Sequence, residues 1–318
     1  MADTCYLPAM QTLPFYIVDV FANAPYKGNQ LAVFQNADSL STEQMQQIAQ
    51  EIGFAESSFI LSDKPSENGF ETKIFTVEYE VPFAGHPTLG TAFVIQQFLV
   101  QKQIQDLSLS LKVGQIPVSI TYANDSPDFL LMRQINPFFG ETIAKAEIAD
   151  LFGLPAEALH PDFPVQEVST GLPFLIIPVH RLADIQKLQT QPEKLLSFLQ
   201  HHGLYKSQRA DGMTVAFYFF CPETYSPEHQ LNARMLALEN GRVIEDAATG
   251  SANGCLLAYL LKHHYFGKDE VEVLVEQGYE INRNSTIKLK GRQTDAKNYE
   301  LFVGGQVQLI AKGEWYVR

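Results

Sequence analysis

Two stretches of the chain are apolar nearly all round, where a surface helix would be apolar along one stripe only. In the first, Leu89, Ala92, Phe93, Val94, Ile95, Phe98 and Leu99 leave Gln96 and Gln97 as the single polar patch; in the second, residues 255–261 offer a polar group only at Tyr259. Neither pattern suits a half-wet helix, so each predicts a helix threading the middle of its own domain. Both are entered through a glycine-rich loop with a polar tip, PFAGHPTLG from residue 82 and EDAATGSANG from residue 245. The first N–H groups of a helix have no partner within it and carry the positive end of its dipole. Two bare glycine entrances therefore predict two places where a carboxylate or an enolate oxygen is received, at Gly85 and His86 and at Gly250 and Ser251.

Around these helices the pattern reads mostly as strands. Residues 15–20 and 31–34 flank the loop FANAPYKGNQ, and Ser41 with Gln44 forms a capping-box signature for a helix that stops at Gly53. FAESSFIL and residues 74–77 read as strands, and residues 107–113 and 116–122 alternate around Gly114 as a hairpin. In the second half, residues 140–154, 192–202 and 249–266 read as helical, while 215–221, 271–276, 285–289 and 301–303 read as strands. Gly304 and Gly305 sit between LFV and QVQLIA as a two-residue hairpin turn. The expectation is an α/β chain of two similar domains, residues 1–130 and 131–318, each a curved, mostly antiparallel sheet wrapped around one central helix, with the last strands free to return to the first domain.

Composition narrows the function classes. A chain of 318 residues that is 46% hydrophobic buries a sizeable core, and a formal net charge of -13 disfavours nucleic acid and anionic membrane surfaces as partners. No stretch reaches the roughly 20 apolar residues that span a bilayer, and the opening MADTCYLPAM has no basic start, so a cytoplasmic setting is expected. Cys5, Cys221 and Cys255 form no CxxC pair and read as free thiols. HExxH, Walker, GxSxG and GxGxxG motifs are absent, and neither a metal nor a cofactor is implied.

The remaining candidates are proton handlers beside the two loops. Glu56 opens a strand next to Phe54 and Phe59, where lost solvation would raise its pKa; it also reads as an exposed strand-end glutamate. His86 is placed to shuttle a proton or to cap its helix. Asp246, Thr249 and Ser251 surround the second helix start, and Asp246 or Thr249 reads equally well as a simple N-cap. The adjacent pairs His201–His202 and His263–His264 face different sides of a helix and read as surface residues.

Taken together, DVFANAPYKGNQLAVF at 19–34, AESSF at 55–59, EVPFAGHPTLGTA at 80–92, EDAATGSANGCLLAYL at 245–260 and VEQGYEINRNS at 275–285 resemble the PhzF-like phenazine biosynthesis isomerases. The resemblance spans nearly the whole chain and implies the diaminopimelate epimerase-like fold, with the active site in the cleft between two like domains. It also implies a homodimer. By motif, Glu56 takes the place of the family's catalytic glutamate, His86 that of its AGHPT histidine and Asp246 that of its EDPATGSA acid, with Gly85, Gly250 and Ser251 lining the substrate site. The implied chemistry is cofactor-independent movement of a proton between carbons of a small cyclic carboxylic acid, as in isomerisation of trans-2,3-dihydro-3-hydroxyanthranilate. Two positions depart from the pattern, since Ala247 and Val77 stand where prolines are expected.

Two other readings compete. A two-base amino acid epimerase or racemase needs thiols at the loop tips, where AGHPTLG and ATGSANG have none, and Cys255 falls one turn inside its helix as a core residue. A non-catalytic small-molecule binding protein would keep the cleft without a use for Glu56, His86 and Asp246 together.

Overall fold

The computed structural model describes residues 11–206, 212–295 and 297–317. Cys5 lies outside them, while Cys221 and Cys255 are buried free thiols. The first half contains β1 (Gln11–Val20), β2 (Asn29–Phe34), α1 (Thr42–Ile52), β3 (Glu56–Ile60), β4 (Phe70–Thr76), β5 (Glu80–Val81), α2 (Gly85–Val94), β6 (Asp106–Leu111), β7 (Gly114–Ala123) and β8 (Ser126–Arg133). The second contains β9 (Phe138–Ile143), α3 (Lys145–Phe152), β10 (Val165–Ser169), β11 (Pro173–Pro178), α4 (Leu182–Gln186), α5 (Pro192–His201), β12 (Ala216–Cys221), β13 (Leu231–Glu239), β14 (Arg242–Asp246), α6 (Gly250–Lys262), β15 (Glu270–Gln277), β16 (Ser285–Gln293), β17 (Tyr299–Gly305) and β18 (Val307–Val317).

Pairing runs β18–β1–β2–β3–β4–β6–β7–β8 in the first half and β17–β16–β15–β13–β12–β11–β10–β9 in the second. The two series meet where β8 pairs antiparallel with β17, and most other pairings are antiparallel too. Helix α2 packs against β1, β2, β3, β6 and β8, and α6 against β10, β11, β15, β16 and β17, so each helix has a sheet of its own around it. That is why the sequence of each is apolar on every face: Leu89, Ala92 and Val94, and Leu256, Leu257, Leu260 and Leu261, are all fully buried. α1 covers an outer face of the first sheet, packed with Phe34, Phe59 and Phe75, while α3 and α5 cover the outer face of the second.

Local signals behave as their chemistry requires. The Ser41 side chain accepts from Gln44 N–H while the Gln44 side chain accepts from Ser41 N–H, and Gly53 ends α1 in the left-handed region at φ 70°. Two expectations fail. Residues 138–143 are strand β9, with only 145–152 helical, because pairing with β10 outcompetes a weak helical pattern. Gly304 and Gly305 are not a hairpin turn; they lie inside β17, and β18 pairs with β1 at the far side of the first sheet. Glycine is needed there for close approach, since a Cβ on Gly304 would sit 1.9 Å from the Leu130 carbonyl oxygen and one on Gly305 2.7 Å from Phe21. Among the described residues no helix is long and apolar enough to cross a membrane.

Candidate active site

The N-termini of α2 and α6 face each other. A Cβ built on Gly85 would lie 3.8 Å from Gly250 Cα and 4.0 Å from the Ser251 nitrogen, so the two bare entrances touch across the junction of the halves. Neither helix has a side-chain cap: Ala84 cannot provide one, and Thr249 does not. Pro87 follows His86 and carries no N–H, which leaves Gly85 and His86 as the free donors of α2. On α6 the first backbone N–H with a protein acceptor among the described residues is that of Asn253, bonded to Thr249 O at 3.0 Å. The N–H groups of Gly250, Ser251 and Ala252 remain available, and positive helix ends point at one spot from both sides.

Glu56 and His86 meet beside this opening. The stop at Gly53 turns the chain out of α1 and into β3, whose first residue is Glu56, paired with Thr76 of β4. His86 is the second residue of α2, and its Nε2 lies 3.4 Å from Glu56 Oε2. Both atoms are buried without a hydrogen-bond partner. Burial, with the Glu239 carboxylate adding to it, pushes the Glu56 carboxyl up to about 7, and burial pushes the His86 imidazole down to about 4. His86 is therefore neutral at physiological pH, and the short contact is not an ion pair there. A carboxyl balanced near neutrality beside a neutral imidazole is suited to accept a proton and give it back.

Asp246 occupies the last position of β14, facing Met235 on β13, and is held by both halves of the molecule. Its Oδ1 accepts from Asn29 Nδ2 at 2.7 Å and its Oδ2 from the Thr249 hydroxyl at 2.6 Å. Burial raises its pKa, against which the Thr249 hydrogen bond, His86 and Asn29 pull downward. Asp246 is thus no helix cap, and Thr249 has given up that role for it. Ser251 is half-buried at the second position of α6, its carbonyl accepting from Thr170 at 3.5 Å.

Residues 18–313 match the PhzC-PhzF family, described as phenazine biosynthesis-like protein. The chain belongs to the PhzF family. It is 31% identical over 296 residues to trans-2,3-dihydro-3-hydroxyanthranilate isomerase of Pseudomonas chlororaphis, covering 92% of this chain and 95% of that one. Its structure resembles the PhzF-family phenazine biosynthesis protein of Bacillus anthracis with a TM-score of 0.84 at 28% identity, covering 97% of this chain and 100% of the other. More distantly, a hydroxyproline epimerase from Agrobacterium vitis shares the fold with a TM-score of 0.60 at 10% identity, over 98% of this chain and 94% of the other. The fold is the diaminopimelate epimerase-like one, and this PhzF-family chain is an isomerase.

Sequence reasoning missed two residues that build the site. Asn29 lies in the loop FANAPYKGNQ by sequence, yet it is buried and bridges the halves through Asp246 and the Ala248 carbonyl. Gln277 closes β15 and is fully buried, with its amide bonded to Thr249 and to the Asp246 backbone. The available signal was a pair of adjacent polar residues, Glu276 and Gln277, following the apolar run Val273, Leu274 and Val275 and breaking the alternation of the strand. Glu276 is spent on structure, accepting from His229 Nδ1 at 2.8 Å and from Asn232 at 3.1 Å.

Proposed function

We propose that this PhzF-family isomerase moves a proton between carbons of a small cyclic carboxylic acid without a cofactor, with Glu56 as the general acid/base. The observation that carries the reading is the Glu56–His86 pair, two buried polar atoms 3.4 Å apart with no hydrogen-bond partner, facing a convergence of bare helix N–H groups. The Glu56 carboxylate takes a proton from one ring carbon, the electron pair left behind delocalises as an enol or enolate, and the same carboxyl returns the proton to another carbon. Neutral His86 and the Asp246 carboxylate orient the substrate and assist the transfer, and the N–H groups of Gly85, His86, Gly250 and Ser251 take the substrate carboxylate or the developing oxyanion.

The substrate class follows from relatives whose named reaction is the isomerisation of trans-2,3-dihydro-3-hydroxyanthranilate. Incubation with that compound in deuterium oxide is the direct test: turnover with deuterium uptake at carbon supports the reading, and a chain that binds it without exchange or turnover ends it. Two-thiol racemisation has less to stand on, because Cys255 is fully buried against Thr170 and Leu172 and burial pushes its thiol up to about 12. The same reading takes residues 1–130 and 131–318 as two like domains and the cytoplasmic homodimer as the working form. A monomer mass by light scattering at micromolar concentration removes the dimer.

A further inference from the structure

Helix α6 has a residue at its start that should close it. Thr249 sits at the N-cap with extended backbone, φ -107° and ψ 92°, where a threonine oxygen ordinarily accepts from the second or third N–H of the helix. Here the hydroxyl instead lies 2.6 Å from Asp246 Oδ2 and makes no cap. The neighbour that orients this hydroxyl is Gln277. The Thr249 N–H can only donate and the Asp246 carbonyl can only accept, and these two backbone groups fix the amide of Gln277: Oε1 accepts from Thr249 N–H at 3.2 Å and Nε2 donates to Asp246 O at 2.9 Å. With the amide so oriented, its second N–H points at Thr249 Oγ1, 3.0 Å away. The hydroxyl accepts there, and its one hydrogen is left for Asp246. Tyr218 and Asn253 also donate to Gln277 Oε1, at 3.0 and 3.3 Å, which keeps the amide from turning over. Beside the same opening, His86 is only 7% exposed and its Nε2 has no hydrogen-bond partner in the protein, an independent sign that a ligand group belongs here.

We propose that Gln277 is a positioning residue of this active site, one that holds the Thr249 hydroxyl off helix α6 and on Asp246, so that the Gly250, Ser251 and Ala252 N–H groups stay open for the anionic group of the substrate. The inference deepens the proposed function and rests on its reading of the helix mouths as the substrate site. Gln277 itself touches no substrate; it decides what the natural cap does. Without it, Thr249 has the backbone and the reach of an ordinary N-cap and takes the Ser251 or Ala252 N–H away from the ligand.

The test is a pair of variants, read by crystallography and by turnover of trans-2,3-dihydro-3-hydroxyanthranilate. In Gln277→Met the Thr249 oxygen is expected to rotate to about 3 Å from the Ser251 or Ala252 nitrogen and to leave Asp246. KM is expected to rise about tenfold, with a smaller change in kcat, because the lost interaction is an anion contact made throughout the reaction. Adding Thr249→Val, which leaves no hydroxyl to swing, is expected to recover most of the KM; a purely structural role for Gln277 would make the double variant no better than the single one, and that result overturns the inference. If Gln277→Met does not fold, Gln277→Glu keeps the acceptor for Thr249 N–H, Tyr218 and Asn253 but cannot donate to Thr249 Oγ1. A hydroxyl still on Asp246 in that variant overturns the inference as well. The crystal structures read the hydroxyl without any substrate, so a wild-type enzyme that ignores the compound removes the site reading, whereas an unmoved Thr249 removes the role given to Gln277.

Discussion

At the mouth of α2 two polar atoms, His86 Nε2 and Glu56 Oε2, are buried without a hydrogen-bond partner; at the mouth of α6 both oxygens of Asp246 are taken, by Asn29 and by Thr249. The two entrances share a bare glycine start and an all-apolar helix behind it, so the backbone does not account for the difference. Side chains do. A buried polar group without a partner is costly and open to reaction, and a fully bonded one is rigid. The first mouth therefore reads as the side that moves the proton, and the second as the side that fixes geometry and charge.

The sharpest way to break that comparison is to remove one carboxylate from each mouth. Glu56→Gln keeps shape but cannot exchange a proton, so turnover is expected to fall by a factor on the order of 100 to 10,000 with little change in binding. Steady-state kinetics on trans-2,3-dihydro-3-hydroxyanthranilate measure it, and near-normal turnover would move the chemistry to another group. In the wild-type enzyme, kcat/KM is expected to rise as pH passes about 7, where Glu56 becomes a carboxylate able to act as base. A rate flat through that range would detach the reaction from Glu56.

The same residue should leave a mark on stability. Glu56 has a folded pKa of about 7 against an ordinary 4.5, so its contribution to stability is complete below pH 4.5 and is lost as pH rises through 7. His86, held at about 4 against 6.5, behaves oppositely: its contribution is present above 6.5 and fades as pH falls towards 4. Comparing Glu56→Gln with wild type at each pH cancels the histidine, which both proteins carry. The variant is expected to gain on wild type between pH 5 and 8 by about 2.5 kcal/mol, most of the worth of the pKa difference. Urea unfolding at both pH values checks it, and a constant gap would mean that Glu56 is not desolvated.

On the other side, Asp246→Asn is expected to cost less, roughly 10- to 100-fold in kcat/KM. The amide can keep one of the two hydrogen bonds from Asn29 and Thr249 and must present an N–H to the other donor. A loss larger than that of Glu56→Gln would invert the assignment of the two mouths.

How much of this was legible beforehand divides along the same line. The buried helices, their glycine entrances and the capping box of α1 were readable because each is a local pattern whose meaning does not depend on the rest of the chain. Glu56, His86 and Asp246 were nameable as candidates, but the choice between strand-end carboxylate and desolvated base, or between cap and site residue, depended on neighbours far away in sequence. Asn29 reaches Asp246 across 217 positions, and Gln277 reaches Thr249 across 28. Gly304 and Gly305 failed for the same reason: two glycines spell a turn locally, and only the Leu130 carbonyl and Phe21 pressed against them reveal a close-packed strand. Periodicity records which face is buried and carries no information on which buried polar group meets which.

The finest test of the two mouths is to place a single methyl between them. In Gly85→Ala the new Cβ would lie 3.7 Å from Met132 Cε, 3.8 Å from Gly250 Cα and 4.0 Å from the Ser251 nitrogen, all ordinary contacts, and Gly85 has no positive φ to strain. Alanine is also the better helix former, so stability should change by no more than about 1 kcal/mol. The methyl nevertheless sets hydrocarbon between the two helix ends, 4.0 Å from the Ser251 nitrogen. A substrate anion seated between the helix ends would lose part of its access to one mouth while keeping the other. KM is therefore expected to rise several-fold, roughly three to ten, with kcat nearly unchanged, since Glu56 and His86 are untouched. An unaltered KM in a folded Gly85→Ala enzyme would show that the anion does not sit between the two mouths and that their convergence serves packing alone.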